Sequence, residues 1–239
     1  DIKTRYAQSI LGVGWAIIQP VFSMIVFTII FGNLAQVDSE GVPYAIFSYT
    51  ALVPWTYFST ALTSASGSLI NAKNMITKVY FPRLVIPISP VLANLVDFGI
   101  SFLILIGMMI WFGITPTVSI LLIPLFVLLM ILSAAGVGMW LTALAIQYRD
   151  IRYGLNFFVR LLMYGSPVIY ATSSIPEKYH YLYALNPMVG VIEGFRAVML
   201  NTRTIPWVFL GIGTAMAILF FITGALYFRR MENIFADVA

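Results

Sequence analysis

The chain has 239 residues, of which 61% are hydrophobic and only 9% are charged, whereas soluble domains carry roughly 25% charged residues. This composition excludes an ordinary soluble protein, and the absence of cysteine excludes disulfides and thiolate metal sites. The net charge of +4 does not indicate nucleic-acid binding, because the basic residues stand at the ends of apolar stretches, where they set membrane topology.

The length predicts an all-α integral membrane protein with six transmembrane helices in a single domain, residues 1–239, since one span needs roughly 20 residues. The first 14 residues predict an interfacial helix, with Lys3 and Arg5 off its apolar face. Because the sequence begins with Asp1, not Met, we expect part of the natural N-terminal segment to precede it.

The first predicted span covers about residues 15–34 and contains Gln19 and Pro20. Proline removes a backbone hydrogen bond, so this pair is either a packing kink or a polar point inside hydrocarbon. The connection that follows, residues 35–44, carries two acidic and no basic residues. It is therefore predicted to lie outside the cell.

The second predicted span, about residues 45–67, is rich in aromatic and hydroxyl side chains. Trp55, Tyr57 and Phe58 lie well inside it, among serines and threonines. Two interpretations are open, because small hydroxyl residues either pack helix against helix or face a polar path.

Residues 69–87, the first basic bridge, carry Lys73, Lys78 and Arg83 between two apolar stretches. Apolar residues recur there with helical spacing, which is typical of a helix on a membrane surface. Positive charge between spans is typical of the cytoplasmic side. We therefore expect residues 69–87 to contain a helix that lies on the cytoplasmic face of the membrane.

The third predicted span, about residues 84–112, is long enough to be tilted or broken by Pro87 and Pro90. Asp97 lies near its middle, and a carboxylate in the bilayer must be paired, protonated or in contact with water. The fourth predicted span, about residues 119–147, contains small residues at positions 134–138. Such residues allow close contact between helices.

Residues 147–154 form the second basic bridge, with Arg149, Asp150 and Arg152. The fifth predicted span follows at about residues 155–170 and contains Arg160. Beyond it, residues 171–204 mix charged, aromatic and helix-breaking residues, which predicts two short amphipathic helices near residues 177–185 and 188–200. Both are too short to span.

The sixth predicted span, about residues 206–228, leads to Arg229 and a cytoplasmic tail. With this topology nine of the 13 Lys and Arg residues fall inside and three outside, while Arg160 lies within a span. This asymmetry supports six spans with both termini in the cytoplasm.

Nothing in the sequence predicts an enzyme. The chain has one histidine, His180, without the spacing of a catalytic triad or a metal site. It also has no phosphate-binding loop of the GxxxxGK[ST] type, so any ATP must be used by a partner. An ion-coupled carrier stays open as an alternative, in which Asp97 and Arg160 would form a buried pair.

The chain resembles the permease subunit of ABC-2 type polysaccharide exporters, which transport O antigen, capsule and teichoic acid. The resemblance covers nearly the whole chain and rests on five motifs in the same order: DIKTRYAQSILGVGWAIIQP, MITKVYFPRLVIP, YRDIRYG, SPVIY and LNPM. It implies a homodimer with two copies of an ABC ATPase, exporting a lipid-linked polysaccharide across the bacterial cytoplasmic (inner) membrane. ATP and Mg would bind the ATPase, with no cofactor on this chain.

The resemblance also assigns residues to two regions. The residues expected to contact the ATPase lie on the two basic bridges: Asn74, Lys78, Tyr80, Tyr148, Arg149, Asp150 and Arg152. The residues expected in short re-entrant gate helices on the periplasmic or extracellular side are Tyr179, Tyr181, Tyr183, Glu193 and Arg196.

A glycan channel needs aromatic rings and hydrogen-bonding groups, because sugars have both apolar faces and polar edges. Trp15 and Phe22, like Tyr164 and Tyr170, have spacings that favour one helix face, and Gln19 adds a polar group. These five residues are the channel candidates, although lipid-facing or packing roles fit aromatic residues equally well.

Three basic residues at the inner surface, Lys3, Arg5 and Arg229, are candidates to attract the phosphate groups of a lipid carrier, as well as ordinary membrane lipids. A drug or small-lipid exporter of the ABC-2 class is a further alternative. Such exporters usually have a large outer domain between the last two spans, whereas residues 171–204 are too few for one.

Overall fold

The computed structural model describes residues 14–72, 82–115, 117–148, 150–202 and 204–238. Within these ranges the chain forms helices joined by short loops, with no β-strand, so the all-α prediction is confirmed there. The α-helices are α1 (Gly14–Phe27), α2 (Tyr44–Asn71), α3 (Val85–Ala93), α4 (Leu95–Trp111), α5 (Ile123–Gln147), α6 (Asp150–Tyr164), α7 (His180–Ala184), α8 (Pro187–Leu200) and α9 (Trp207–Val238). A π-helix (Thr28–Leu34) continues α1, and 3-10 helices occur at Val118–Leu122, Thr172–Ser174 and Glu177–Tyr179.

Four of these helical stretches are long and apolar enough to cross a membrane: Ile17–Leu34, Val85–Trp111, Val118–Gln147 and Trp207–Glu232. They coincide with the first, third, fourth and sixth predicted spans. The second predicted span corresponds to α2, whose 28 residues exceed the roughly 20 that a bilayer requires. The fifth corresponds to α6, which has only 15 residues.

The helix expected over the fifth predicted span ends early, since α6 stops at Tyr164 and not near residue 170. Gly165 and Pro167 explain the early end: glycine destabilises a helix, and proline disfavours helical backbone in the residue before it. Residues 165–170 form turns and bends.

The third span is broken, as the prolines predict, and the break falls at Asn94 between α3 and α4. Pro90 has no N–H, which weakens the helix around it. The Asn94 Nδ2 donates a hydrogen bond of 2.6 Å to the Pro90 carbonyl, and the hydroxyl of Tyr57 donates one of 3.0 Å to the Val91 carbonyl. Side chains thus satisfy backbone acceptors close to the break, as the bilayer interior demands.

α2 is the central helix of the fold and packs against α5, α3, α4, α8 and α1. Its Trp55, Tyr57 and Phe58 rings are buried in the main hydrophobic core. The Thr60 hydroxyl donates to the carbonyl of Thr56 at 2.7 Å, within the same helix. The burial of the three rings favours helix packing as their role, whereas the bond of Thr60 within its own helix fits both interpretations of the hydroxyl residues.

The two ends of the helix bundle can be told apart. At one, here called the bridge end, the ends of α2, α3, α5 and α9 meet in a second apolar cluster formed by Leu69, Ile86, Met139, Ala143, Phe228 and Met231. Beside this cluster the Arg83 Nη1 donates a hydrogen bond of 2.6 Å to the Glu232 carbonyl. At the other, the loop end, the Glu40 carboxylate accepts hydrogen bonds from Ser173 at 3.5 Å and Thr202 at 3.2 Å.

α5 and α9 cross at a pair of glycines, Gly136 and Gly224. A Cβ on Gly136 would lie 2.5 Å from the Phe221 nitrogen, and one on Gly224 would collide with the Gly136 carbonyl oxygen. Next to the crossing, the Trp140 and Tyr227 rings stack with centroids 4.4 Å apart. The expectation that residues 134–138 allow close helix contact is confirmed.

The two short helices expected in residues 171–204 are present, as the 3-10 turn with α7 and as α8. Pro187 stands in the first turn of α8, as predicted. The amphipathic character predicted for α8 is wrong, however, since all of its residues are buried in the chain. They are enclosed because α2, α5 and α9 pack around this helix.

Candidate functional site

Arg196 of α8 lies at the centre of a buried polar cluster near the loop end. Its guanidinium Nη1 donates hydrogen bonds of 3.1 Å to both the Glu193 Oε1 and the Tyr170 carbonyl. Nη2 donates a hydrogen bond of 2.9 Å to the Val168 carbonyl, and Nε donates one of 3.4 Å to the Phe47 carbonyl. The Arg196 Cζ also lies 3.7 Å from the centroid of the Phe47 ring.

The side chains of Arg196 and Glu193 are only 1% and 4% exposed. Transfer of two charges out of water is costly, and it is compensated only when good geometry and further hydrogen bonds accompany the ion pair. Here the three carbonyls and the aromatic ring supply those contacts. Arg196 thereby connects α8 to the first turn of α2 and to the segment that follows α6.

Local sequence explains where α8 begins and how closely it packs. The Asn186 side chain caps the helix by accepting from the Met188 N–H at 3.1 Å, and its Nδ2 donates to the Ser166 hydroxyl at 2.9 Å. Gly190 lets α9 approach, because a Cβ there would lie 2.8 Å from the Phe209 carbonyl oxygen. The LNPM motif is thus the cap and first turn of a buried helix.

Tyr170 and Tyr183 form a second polar contact near this cluster. Their hydroxyls lie 3.0 Å apart, and the Tyr170 hydroxyl also donates 2.8 Å to the Tyr164 carbonyl. The structure thereby places one predicted channel residue against one predicted gate residue. Tyr179 and Tyr181 are instead exposed.

The sequence profile of the ABC-2 type transporter family matches residues 1–200 of the chain, which includes this cluster and all helices except α9. The chain belongs to the ABC-2 type transporter family.

The ABC-2 relatives include several exporters. Over all 239 residues the chain is 28% identical to an O-antigen export system permease protein RfbA of Klebsiella pneumoniae, of which it covers 91%. An O-antigen export permease RfbA of Myxococcus xanthus is 28% identical over 85% of this chain and 78% of that protein. The polysialic acid transport protein KpsM of Escherichia coli is 25% identical over 81% of this chain and 75% of that protein.

Only some of the residues expected to contact the ATPase lie in the part of the chain that the structure describes. Tyr148 and Asp150 are exposed around the start of α6, and Arg152 lies in its first turns, with its side chain outside the described part. Four further candidates lie outside the described residues: Asn74, Lys78, Tyr80 and Arg149. The same holds for Lys3 and Arg5 among the candidate phosphate-binding residues, whereas Arg229 is exposed on α9.

Most channel candidates of the ABC-2 chain are exposed on two helices. Trp15 and Phe22 on α1 are 55% and 65% exposed, and Tyr164 at the end of α6 is 56% exposed. Gln19, also on α1, is exposed as well. Tyr170 does not share a helix face with Tyr164, because it lies beyond the end of α6, so the spacing argument for that pair is wrong.

Asp97 and Arg160, the alternative intramembrane pair, lie on α4 and α6, and their pairing stays a prediction. Arg160 is exposed. The buried ion pair of the described residues is Glu193 with Arg196. Among those residues no group of three or more His, Cys, Asp or Glu side chains is placed to hold a metal ion.

The sequence alone did not reveal the carbonyl contacts of Arg196 or the role of Glu40. Glu193 and Arg196 are three residues apart, a spacing that joins side chains on one helix face, and this is the one local signal for their pairing. The carbonyl acceptors come from residues 26 to 149 positions away, and no local pattern indicates them.

Proposed function

We propose that this chain is the membrane-spanning permease subunit of an ATP-binding cassette transporter that exports lipid-linked polysaccharide across the bacterial cytoplasmic membrane. The observation that carries the proposal is the similarity to an O-antigen export permease over the whole chain and 91% of that protein. The short stretch between α6 and α9 also supports the proposal, since a drug exporter of this class would have a large domain at that place.

The proposed topology has six spans, namely the four apolar stretches together with α2 and α6, and both termini in the cytoplasm. Among the described charged residues, the bridge end carries Arg83, Arg229, Arg230 and Glu232, whereas the loop end carries Asp38, Glu40, Glu177 and Lys178. This distribution supports a cytoplasmic bridge end. At 15 residues α6 spans only if the membrane is locally thin or the turn at residues 165–170 completes the crossing.

The proposed transporter is a homodimer with two copies of an ABC ATPase, which binds ATP and Mg. One face of α6 carries large exposed apolar residues, Tyr153, Phe157, Phe158 and Leu161, and α6 packs mainly on α2 and α5. On a membrane-spanning helix such a face contacts either lipid or another protein surface. A second copy covers part of this face, and the aromatic residues of α1 and α6 line the glycan path between the copies.

The ATPase is proposed to contact the two basic bridges, which pass its movement to the spans. The pre-formed link between Arg83 and Glu232 at the bridge end supports this role, since it ties the end of the first bridge to α9. The short helices at the loop end are proposed as the outer gate, with Tyr183, Glu193 and Arg196 at their base.

Co-purification tests this proposal. The tagged chain in a mild detergent is expected to retain an ATPase subunit, while a Lys78→Glu/Arg152→Glu variant retains at least about tenfold less, because charge reversal in an interface opposes its partner. Lys178→Glu is the matched control, since Lys178 lies at the loop end and its reversal should leave capture unchanged. The readouts are the amount of bound ATPase and its ATP turnover.

Transport of the glycan is the second half of this experiment. Inverted membrane vesicles that contain the unmutated complex are expected to take up lipid-linked polysaccharide only with ATP. If no ATPase is retained by the unmutated dimer, an ion-coupled carrier replaces the proposal. If an ATPase is retained but a small lipid or drug moves and glycan does not, the chain is an ABC-2 exporter of that class.

A further inference from the structure

Two adjoining cavities open at the loop end, apart from the exposed faces of α1 and α6. The smaller has a volume of about 180 Å³, and the larger about 740 Å³. Both are lined by Pro206 and Phe209, so they lie side by side at the start of α9, and together they are called the cleft. The combined cleft falls within the size range of sites for small organic ligands, roughly 300–1,000 Å³.

The smaller cavity, here called the polar cavity, has charged and hydroxyl side chains in its lining beside apolar ones. Its wall contains Glu193, Arg196, Phe209 and the hydroxyl residues Thr172, Thr202 and Thr204. Arg196 engages Oε1 of Glu193, which leaves Oε2 as the carboxylate oxygen that a ligand hydroxyl would contact. The cavity has room for about one sugar ring and offers acceptors, donors and an aromatic side chain, the combination that a sugar requires.

The lining of the larger cavity includes several aromatic residues. Trp207 and Tyr181 are 62% and 71% exposed there, and the rings of His180 and Phe209 lie 5.5 Å apart. Lys178 lines the same cavity. Exposed aromatic rings next to polar groups bind the CH faces of sugars while hydrogen bonds hold the hydroxyls.

We propose that this cleft is a saccharide-binding site that holds a few consecutive sugar residues of the exported glycan at the loop end. One sugar occupies the polar cavity against Glu193, and the next ones stack on Trp207 and Tyr181. A lipid chain fits the polar cavity poorly, because it would leave a buried carboxylate and hydroxyls facing hydrocarbon. The inference rests on the proposed function, since it names a site for the same substrate class.

A chain without cysteine makes a site-specific test possible. Val208, which lines the cleft and is exposed, is replaced by cysteine in the complex with its ATPase, reconstituted in lipid nanodiscs. The rate of maleimide labelling is measured with and without lipid-free oligosaccharides released from the host's own surface polysaccharide. We expect the oligosaccharides to slow labelling several-fold, because the bound sugar covers residue 208. Val118→Cys, also exposed but outside the cleft, is the matched control.

Two further measurements decide the outcome. Adding Trp207→Ala to the Val208→Cys variant is expected to weaken the protection about fivefold, the loss of one aromatic contact, while ATPase capture stays intact. Glu177→Cys, at another exposed position in the lining of the larger cavity, replaces Val208→Cys if the latter does not assemble. Unchanged labelling with oligosaccharide, or protection by a short-chain phospholipid alone, overturns the cleft proposal. If ATPase capture and glycan uptake persist in either case, the proposed function still stands.

Discussion

Replacing Arg196 by alanine is expected to lower the free energy of unfolding by about 3–5 kcal/mol, because removal of one partner leaves the buried Glu193 charge uncompensated. Three carbonyl groups, of Phe47, Val168 and Tyr170, lose their donor at the same time. In detergent the melting temperature should fall by about 10 °C or more. Thermal unfolding followed by size-exclusion chromatography measures the shift.

Two variants separate the charge from the contacts. Glu193→Gln/Arg196→Met removes both charges at similar volume, and we expect it to be less destabilised than Arg196→Ala. Arg230→Ala, which removes an exposed arginine on α9, should stay within about 0.5 kcal/mol of the unmutated chain. An Arg196→Ala protein as stable as the Arg230→Ala protein contradicts the role given to this ion pair.

Gly224→Ala is the second substitution with a large expected effect. The new methyl group would meet the Gly136 carbonyl oxygen and the Trp140 ring, and backbone atoms yield much less than a flexible side chain. Separation of α5 from α9 would also disturb the stacking of Trp140 on Tyr227. Overpacking of this kind costs about 1–3 kcal/mol, so we expect a lower melting temperature and a lower yield of folded protein.

Gly211→Ala is the matched control, since Gly211 lies in the same helix and an added Cβ would meet nothing within 4 Å. We expect Gly211→Ala to raise the melting temperature, because alanine is about 1 kcal/mol more favourable than glycine in a helix. Equal melting temperatures for the two variants would mean that α5 and α9 are not in tight contact at the Gly136 and Gly224 crossing.

The positions of the helices could be predicted from the sequence, whereas the burial of α8 could not. Apolar length located the four stretches that the structure makes long and apolar enough to cross a membrane, and Pro187 indicated the start of α8, because these signals are local. The complete burial of α8 had no such signal. Its residues Glu193 and Arg196 look like the polar face of a surface helix, and only the packing of α2, α5 and α9 around them makes them interior residues.

The candidate site was predictable to a similar degree. Aromatic residues on α1 and α6 were identified from spacing as channel candidates. Trp15, Phe22 and Tyr164 are exposed, and their place in a channel stays a prediction. The early end of α6 was missed, because the apolar character of residues 165–170 outweighed the glycine and proline among them. The cleft at the loop end was also missed, since Trp207 and Tyr181 are 26 positions apart and no periodic pattern relates them.

The contacts of Arg196 restrict how a gate at the loop end moves. A displacement of α8 alone would break hydrogen bonds to carbonyls on α2 and on the segment after α6 in one step. In a low-dielectric interior, the exposed carbonyls would find no replacement donors. We therefore expect these three parts to move as one rigid body, so that any hinge of the proposed gate would lie outside it.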